Sequence, residues 1–160
     1  VKMGLLPDPA EAKQTVTLAD NTSGRFVDKW ITLKAEPNSP CIWTRRLDTF
    51  DLPIAHGEGR FTAPPQIIEQ LEANQQVALR YAVDTVSGNP NGSVNDIAGI
   101  CDPTGLVLGL MPHPERFTDP TNHPQWSRRG DDWLTETTPG LQFFINAVEH
   151  VNANTGAAAS

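Results

Sequence analysis

Between Ile97 and Met111 the chain runs IAGIC, turns through Asp102-Pro103-Thr104-Gly105, and continues as LVLGLM, with no charged side chain in either apolar run. Proline at the second position and glycine at the fourth favour a type I turn, so the two runs are predicted to be the strands of a hairpin. Strands without polar alternation are buried on both faces. Such a hairpin requires a layered fold with cover above and below the sheet, and helices usually supply that cover.

Only two segments answer clearly as helices. Pro64–Ala73 opens on two prolines and carries Ile67, Ile68 and Leu71 on one face. The second follows Thr138, a good capping residue, with Pro139 at its first position and a predicted buried stripe of Leu141, Phe144, Ile145 and Val148. Further strands are expected at Val16–Asp20, at the alternating RFVDKWITLK of Arg25–Lys34, at Leu52–His56 and at Val77–Val83. The opening VKMGLLP reads as the last turn of a helix stopped by Pro7 and Pro9. Phe117–Thr138 has no clear period and is longer than most loops, which suits a functional, partner-facing or mobile segment. Within it, Trp126–Trp133 suits a docking loop or ordinary surface structure. Residues 1–152 are expected to form part of one domain, and 153–160 a frayed tail.

A net charge of −7, with the 12 lysines and arginines scattered, argues against a dedicated nucleic-acid or anionic-membrane binder. No run approaches the roughly 18–20 apolar residues of a membrane helix, and no secretory signal opens the sequence. Cys41 and Cys101 do not amount to a disulfide framework. The chain therefore reads as cytoplasmic.

The chemistry concentrates at Met111–Arg116, MPHPER, directly after the second apolar strand. Pro112 and Pro114 bias Met111 and His113 toward extended backbone. In extended chain His113 and Glu115 would project to one side, roughly 6.6–6.8 Å apart along the strand. A glutamate so placed can hold one imidazole nitrogen while the other faces a reaction centre, the base-plus-orienter half of a nucleophilic triad. The plainer alternative is a strand-end ion pair in a proline-closed loop. Zinc is disfavoured, because two ligands fall short of the three or four it takes. For HGEG at 56–59 the plain reading is a turn whose glycines supply positive φ. Asn91-Gly92 likewise favours a tight turn.

Four segments together resemble one family: NTSGRFVDKW (Asn21–Trp30), LPIAHGEGRF (Leu52–Phe61), NPNGSVNDIAGI (Asn89–Ile100) and GLVLGLMPHPERF (Gly105–Phe117). Over residues 1–152 the chain is similar to the glutaminase subunit of phosphoribosylformylglycinamidine synthase, a class I, triad-type glutamine amidotransferase. The resemblance implies an α/β three-layer sandwich with a mixed sheet, with His113 as the base and Glu115 as its orienter. It implies that His56, Gly57 and Glu58 help bind glutamine, and that the NPNGS segment has a role near a synthetase interface.

The activity implied is glutamine hydrolysis. Ammonia would pass to a partner synthetase subunit for the ATP-dependent conversion of formylglycinamide ribonucleotide to formylglycinamidine ribonucleotide in purine biosynthesis. No cofactor is expected in this chain; ATP and Mg belong to the partner. The family's nucleophilic cysteine sits on a glycine-flanked elbow, which neither Cys41 nor Cys101 has, so the chain is expected to be the C-terminal part of the domain. It is then inactive by itself. Two rival readings remain: a non-catalytic glutaminase-like module that docks on a synthetase, and a separate amide hydrolase using Cys101.

Overall fold

The computed structural model describes residues 1 and 3–156. Seven strands and two helices follow in the order β1 (Thr17–Ala19), β2 (Val27–Ala35), β3 (Thr49–His56), β4 (Arg60–Thr62), α1 (Pro65–Ala73), β5 (Val77–Tyr81), β6 (Ile97–Cys101), β7 (Leu108–Leu110) and α2 (Pro139–Gly156). Five strands form one sheet in the order β3-β2-β5-β6-β7, and β1 pairs with β4 in a small second sheet. Every pairing among the described residues is antiparallel. No parallel pair of the expected mixed sheet falls within them, since turns and loops join these strands where a parallel pair needs a crossover. The α/β character holds.

The apolar hairpin forms as expected. β6 pairs with β7 from Gly99 opposite Leu110 to Cys101 opposite Leu108, and the Gly105 N–H closes the turn on the Asp102 carbonyl at 3.0 Å. All five residues of β6 are buried, and two separate clusters cover them. One holds Ile97 and Ile100 with Ile68 and Leu71 of α1. The other holds Ala98 and Cys101 with Ile31, Leu33, Leu52 and Ile54 of β2 and β3, and with Phe143 of α2.

Two local expectations are corrected. Residues 3–7 form bends rather than a helical turn, because Gly4 takes φ +73° and Pro7 cannot continue a helix. α2 buries Phe143 while Leu141, Phe144 and Val148 are exposed; the contact that decides its rotation is Gly140 against the preceding loop, which an apolar period cannot reveal. Residues 153–156 continue α2, and 157–160 of the expected tail lie outside the described residues.

The apolar stripe of Leu141, Phe144, Val148 and Val151 thus faces outward, and β7 has a neighbour on one side only among the described residues. An exposed apolar stripe beside an unpaired strand edge favours association. We expect the 160-residue chain to bind a hydrophobic dye such as ANS and to melt without a sharp transition. A monodisperse monomer with cooperative melting would contradict this.

Candidate active site

The segment after β7 spans a gap in the curled sheet. Met111 N–H donates to the Ala98 carbonyl of β6 at 3.2 Å, and His113 N–H donates to the Pro53 carbonyl of β3 at 2.9 Å. His113 is thereby fixed on β3, at one end of the sheet order, two residues after the bond to β6. Its own backbone is near extended (φ −107°, ψ 88°), but Pro114–Arg116 closes into a 3₁₀ turn. Proline suits the first position of such a turn, and the turn brings Glu115 back toward the ring, closer than the expected extended spacing would.

His113 Nδ1 lies 2.8 Å from Glu115 Oε1. A carboxylate only accepts, so Nδ1 carries a proton, and in the neutral ring the lone pair is on Nε2. His113 is one-third exposed and Glu115 more so. An exposed pair of this kind contributes little stability; what it fixes is the tautomer and direction of the ring. Helix α2 supports the turn from behind. A Cβ at Gly140 would lie 2.2 Å from the Pro114 carbonyl oxygen and 2.3 Å from that of Phe117, so only glycine allows this approach. Thr138 Oγ1 donates to the Phe117 carbonyl at 2.6 Å and accepts from Leu141 N–H at 3.3 Å, capping the helix as expected.

A cavity of about 390 Å³ opens at His113 and Glu115, walled by Trp43, Leu110, Phe143 and Phe144. A larger one, about 490 Å³, lies under the 118–138 loop against Phe50, Asp51, His123 and Trp133, and none of the expected site residues lines it. There the Trp133 ring lies 6.1 Å from Phe117 and carries Arg129 at 4.1 Å over its face. Trp133 is therefore packed on the core, and Trp126 is the more exposed of the two.

The other three motifs meet in one hydrogen-bonded knot. Asn21 is 3% exposed, and its amide joins Arg25, His56 and Gly59. Asn91 is fully buried; its Nδ2 donates to the Gly59 carbonyl at 2.8 Å and the Tyr81 hydroxyl at 3.0 Å, while its Oδ1 accepts from Ser93 N–H and Oγ. Ser93 Oγ in turn accepts from Phe61 N–H at 2.9 Å. Burial pushes the Tyr81 hydroxyl up to about 12. Gly92 has φ +82°, as an Asn-Gly turn requires, but Gly57 and Gly59 do not have positive φ. Gly59 is needed for another reason: its Cβ would sit 2.3 Å from the His56 ring.

His56 is buried, and its pKa is held below the ordinary histidine range by burial first and by the nearby charge of His113 second. The structure thus brings His56 within electrostatic reach of the His113–Glu115 pair, while Glu58 is exposed on the intervening turn. Asn21 was not legible as a site residue, because its partner His56 lies 35 positions away. Cys41 and Cys101 are both buried, and neither lines the cavity at His113. Hydrogen bonding with Cys41 and burial push the Cys101 thiol up, which disfavours it as a nucleophile. No helix among the described residues is long and apolar enough to cross a membrane.

Residues 1–151 match the family model of the CobB/CobQ-like glutamine amidotransferase domain. The chain is 40% identical over 156 residues to the phosphoribosylformylglycinamidine synthase subunit PurQ of Dehalococcoides mccartyi, covering 93% of this chain and 58% of that protein. It is 58% identical over 120 residues to the corresponding subunit of a Synechococcus strain, covering 73% of this chain and 48% of the relative. Among solved structures, PurLQS from Thermotoga maritima superposes with a TM-score of 0.61 at 30% identity, over 84% of this chain and 52% of that one. The chain spans about half to three-fifths of the length of the curated relatives it matches.

Proposed function

The chain belongs to the CobB/CobQ-like glutamine amidotransferase family, and on that footing we propose that it supplies the acid–base half of a glutaminase. The observation that carries this is the 2.8 Å contact from His113 Nδ1 to Glu115, which leaves Nε2 free at the cavity. In this mechanism His113 Nε2 takes the proton of a thiol, and the resulting thiolate attacks the carboxamide carbon of glutamine. His113 Nε2–H protonates the departing ammonia, leaving a glutamyl thioester. His113 then takes a proton from water as the water attacks the thioester, releasing glutamate and restoring the thiol.

Neither cysteine of residues 1–160 lines the cavity, so the attacking thiolate is supplied from outside them. In this reading the ammonia serves the synthetase of phosphoribosylformylglycinamidine formation, in a cytoplasmic complex whose ATP and Mg are held by the partner subunit. Support comes from the PurQ relatives and the PurLQS neighbour. His56, Gly57 and Glu58 contribute to the glutamine subsite.

The reading is tested by ammonia release from glutamine in the assembled complex, which should depend on His113. Glu58→Ala should raise the KM for glutamine by roughly tenfold with little change in kcat, the mark of a binding contact. A Glu58→Ala enzyme with normal KM would return this turn to a purely structural role. Loss of complex assembly, with glutaminase activity untouched by His113 substitution, would favour a non-catalytic docking module.

A further inference from the structure

We propose that Thr138 and Gly140, at the start of α2, are positioning residues for the His113–Glu115 pair: they set where Glu115 stands against His113 without touching the substrate or the reacting groups. The proposal rests on the glutaminase reading and deepens it.

The two members of the pair are held by different parts of the fold. His113 is anchored to the sheet, its N–H donating to the Pro53 carbonyl of β3 at 2.9 Å. Glu115 is exposed, so its place is set by the 3₁₀ turn that carries it. That turn is closed by the Phe117 N–H on the Pro114 carbonyl at 3.0 Å, and α2 bears on both ends of it. The Thr138 hydroxyl, from a buried position, donates to the Phe117 carbonyl at 2.6 Å. A Cβ on Gly140 would fall 2.2 Å from the Pro114 carbonyl oxygen and 2.3 Å from that of Phe117. Gly140 does not have positive φ, so its own backbone does not call for glycine, and alanine is otherwise the more favourable residue in a helix. What calls for glycine is the turn.

Neither side of this contact can retreat. α2 is pinned by Asn146, whose buried amide donates to the carbonyls of Trp43 at 2.9 Å and Arg45 at 2.6 Å, and by Phe143 in the core. On the other side Phe117 is buried, with its ring 4.9 Å from that of Trp30 in an edge contact. Interiors packed this densely do not absorb a methyl group without displacement. The compliant part is the exposed turn, and it carries Glu115. A methyl at Gly140 therefore transfers its displacement to the spacing between Glu115 and His113, whose 2.8 Å contact fixes the tautomer of the base.

Ammonia release from glutamine, measured per assembled complex, tests this. Gly140→Ala should lower kcat by about tenfold and leave KM within about twofold. The decisive readout is the double variant. In a Glu115→Ala background nothing is left to position, so Gly140→Ala should cost less than about twofold more. Thr138→Val, which removes the bond to the Phe117 carbonyl, should lower kcat by about three- to tenfold with the same dependence on Glu115. Thr138→Ser, which keeps the hydroxyl, should restore it. Unchanged kcat in Gly140→Ala overturns the proposal, and so does an equal fold-loss with and without Glu115, which is what a merely structural role gives. Should Gly140→Ala fail to assemble, the Thr138 variants decide: a loss in Thr138→Val that is coupled to Glu115 and recovered in Thr138→Ser supports the proposal, and any other pattern overturns it. If His113→Asn leaves glutamine hydrolysis intact, the glutaminase reading fails. If His113 is required while Thr138 and Gly140 act independently of Glu115, only the positioning assignment fails.

Discussion

Replacing His113 by asparagine should lower glutamine turnover of the assembled complex by about 10³-fold, with little change in KM. The size follows from what the ring does. Its Nε2 must both protonate the leaving ammonia and activate water, and an asparagine amide can do neither. Binding contacts made elsewhere on glutamine are untouched, so the loss belongs in kcat. Glu115→Gln should cost less, on the order of tenfold, because an amide oxygen can still accept from Nδ1–H and keep the tautomer, losing mainly charge stabilisation of the imidazolium. Glu115 is largely exposed, so water softens that loss. Steady-state ammonia release measures both. A His113→Asn enzyme with unchanged turnover would return MPHPER to a strand-end ion pair.

The largest stability effect is expected at Asn91. Its side chain serves the Gly59 carbonyl, the Tyr81 hydroxyl and Ser93 from a fully buried position. Asn91→Ala leaves these partners buried and unsatisfied, which should cost on the order of 3–5 kcal/mol. Urea unfolding of the complete amidotransferase domain would measure it. Because the Gly59 carbonyl is one of the released groups, the His56–Gly59 turn should loosen as well, and the KM for glutamine should rise in whatever fraction remains folded. A loss below about 1 kcal/mol would mean that the knot is replaceable by water or by local rearrangement.

Much of this was legible in the residues. The unbroken apolar runs at Ile97–Cys101 and Leu106–Met111 called for cover on both faces, and two separate clusters supply it around β6. The Pro-x-Pro frame of MPHPER signalled that His113 and Glu115 act together, although the 3₁₀ turn that joins them replaced the extended spacing. What remained hidden depended on distant partners. Nothing in NTSG announces that Asn21 orients a histidine 35 positions away, and nothing in HGEG announces that Gly59 is required by the His56 ring rather than by its own φ. The face of α2 was misread for a related reason. Its apolar residues suggest a stripe through Leu141, Phe144 and Val148, but the close approach of Gly140 to Pro114 and Phe117 turns Phe143 inward.

The exposed stripe, the edge at β7 and the cavity at His113 lie near one another, since Phe144 and Leu110 both line that cavity. On the glutaminase reading the attacking thiolate has to reach this same region, and neither Cys41 nor Cys101 lines the cavity there.

Covalent capture of the nucleophile tests this account most directly. A diazoketone analogue of glutamine alkylates the attacking thiolate, and peptide mass spectrometry locates the adduct. The complete glutaminase should carry it on a cysteine outside residues 1–160, at a rate that His113→Asn lowers, and the 160-residue chain should remain unlabelled. An adduct on Cys41 or Cys101, or labelling indifferent to His113, would contradict it.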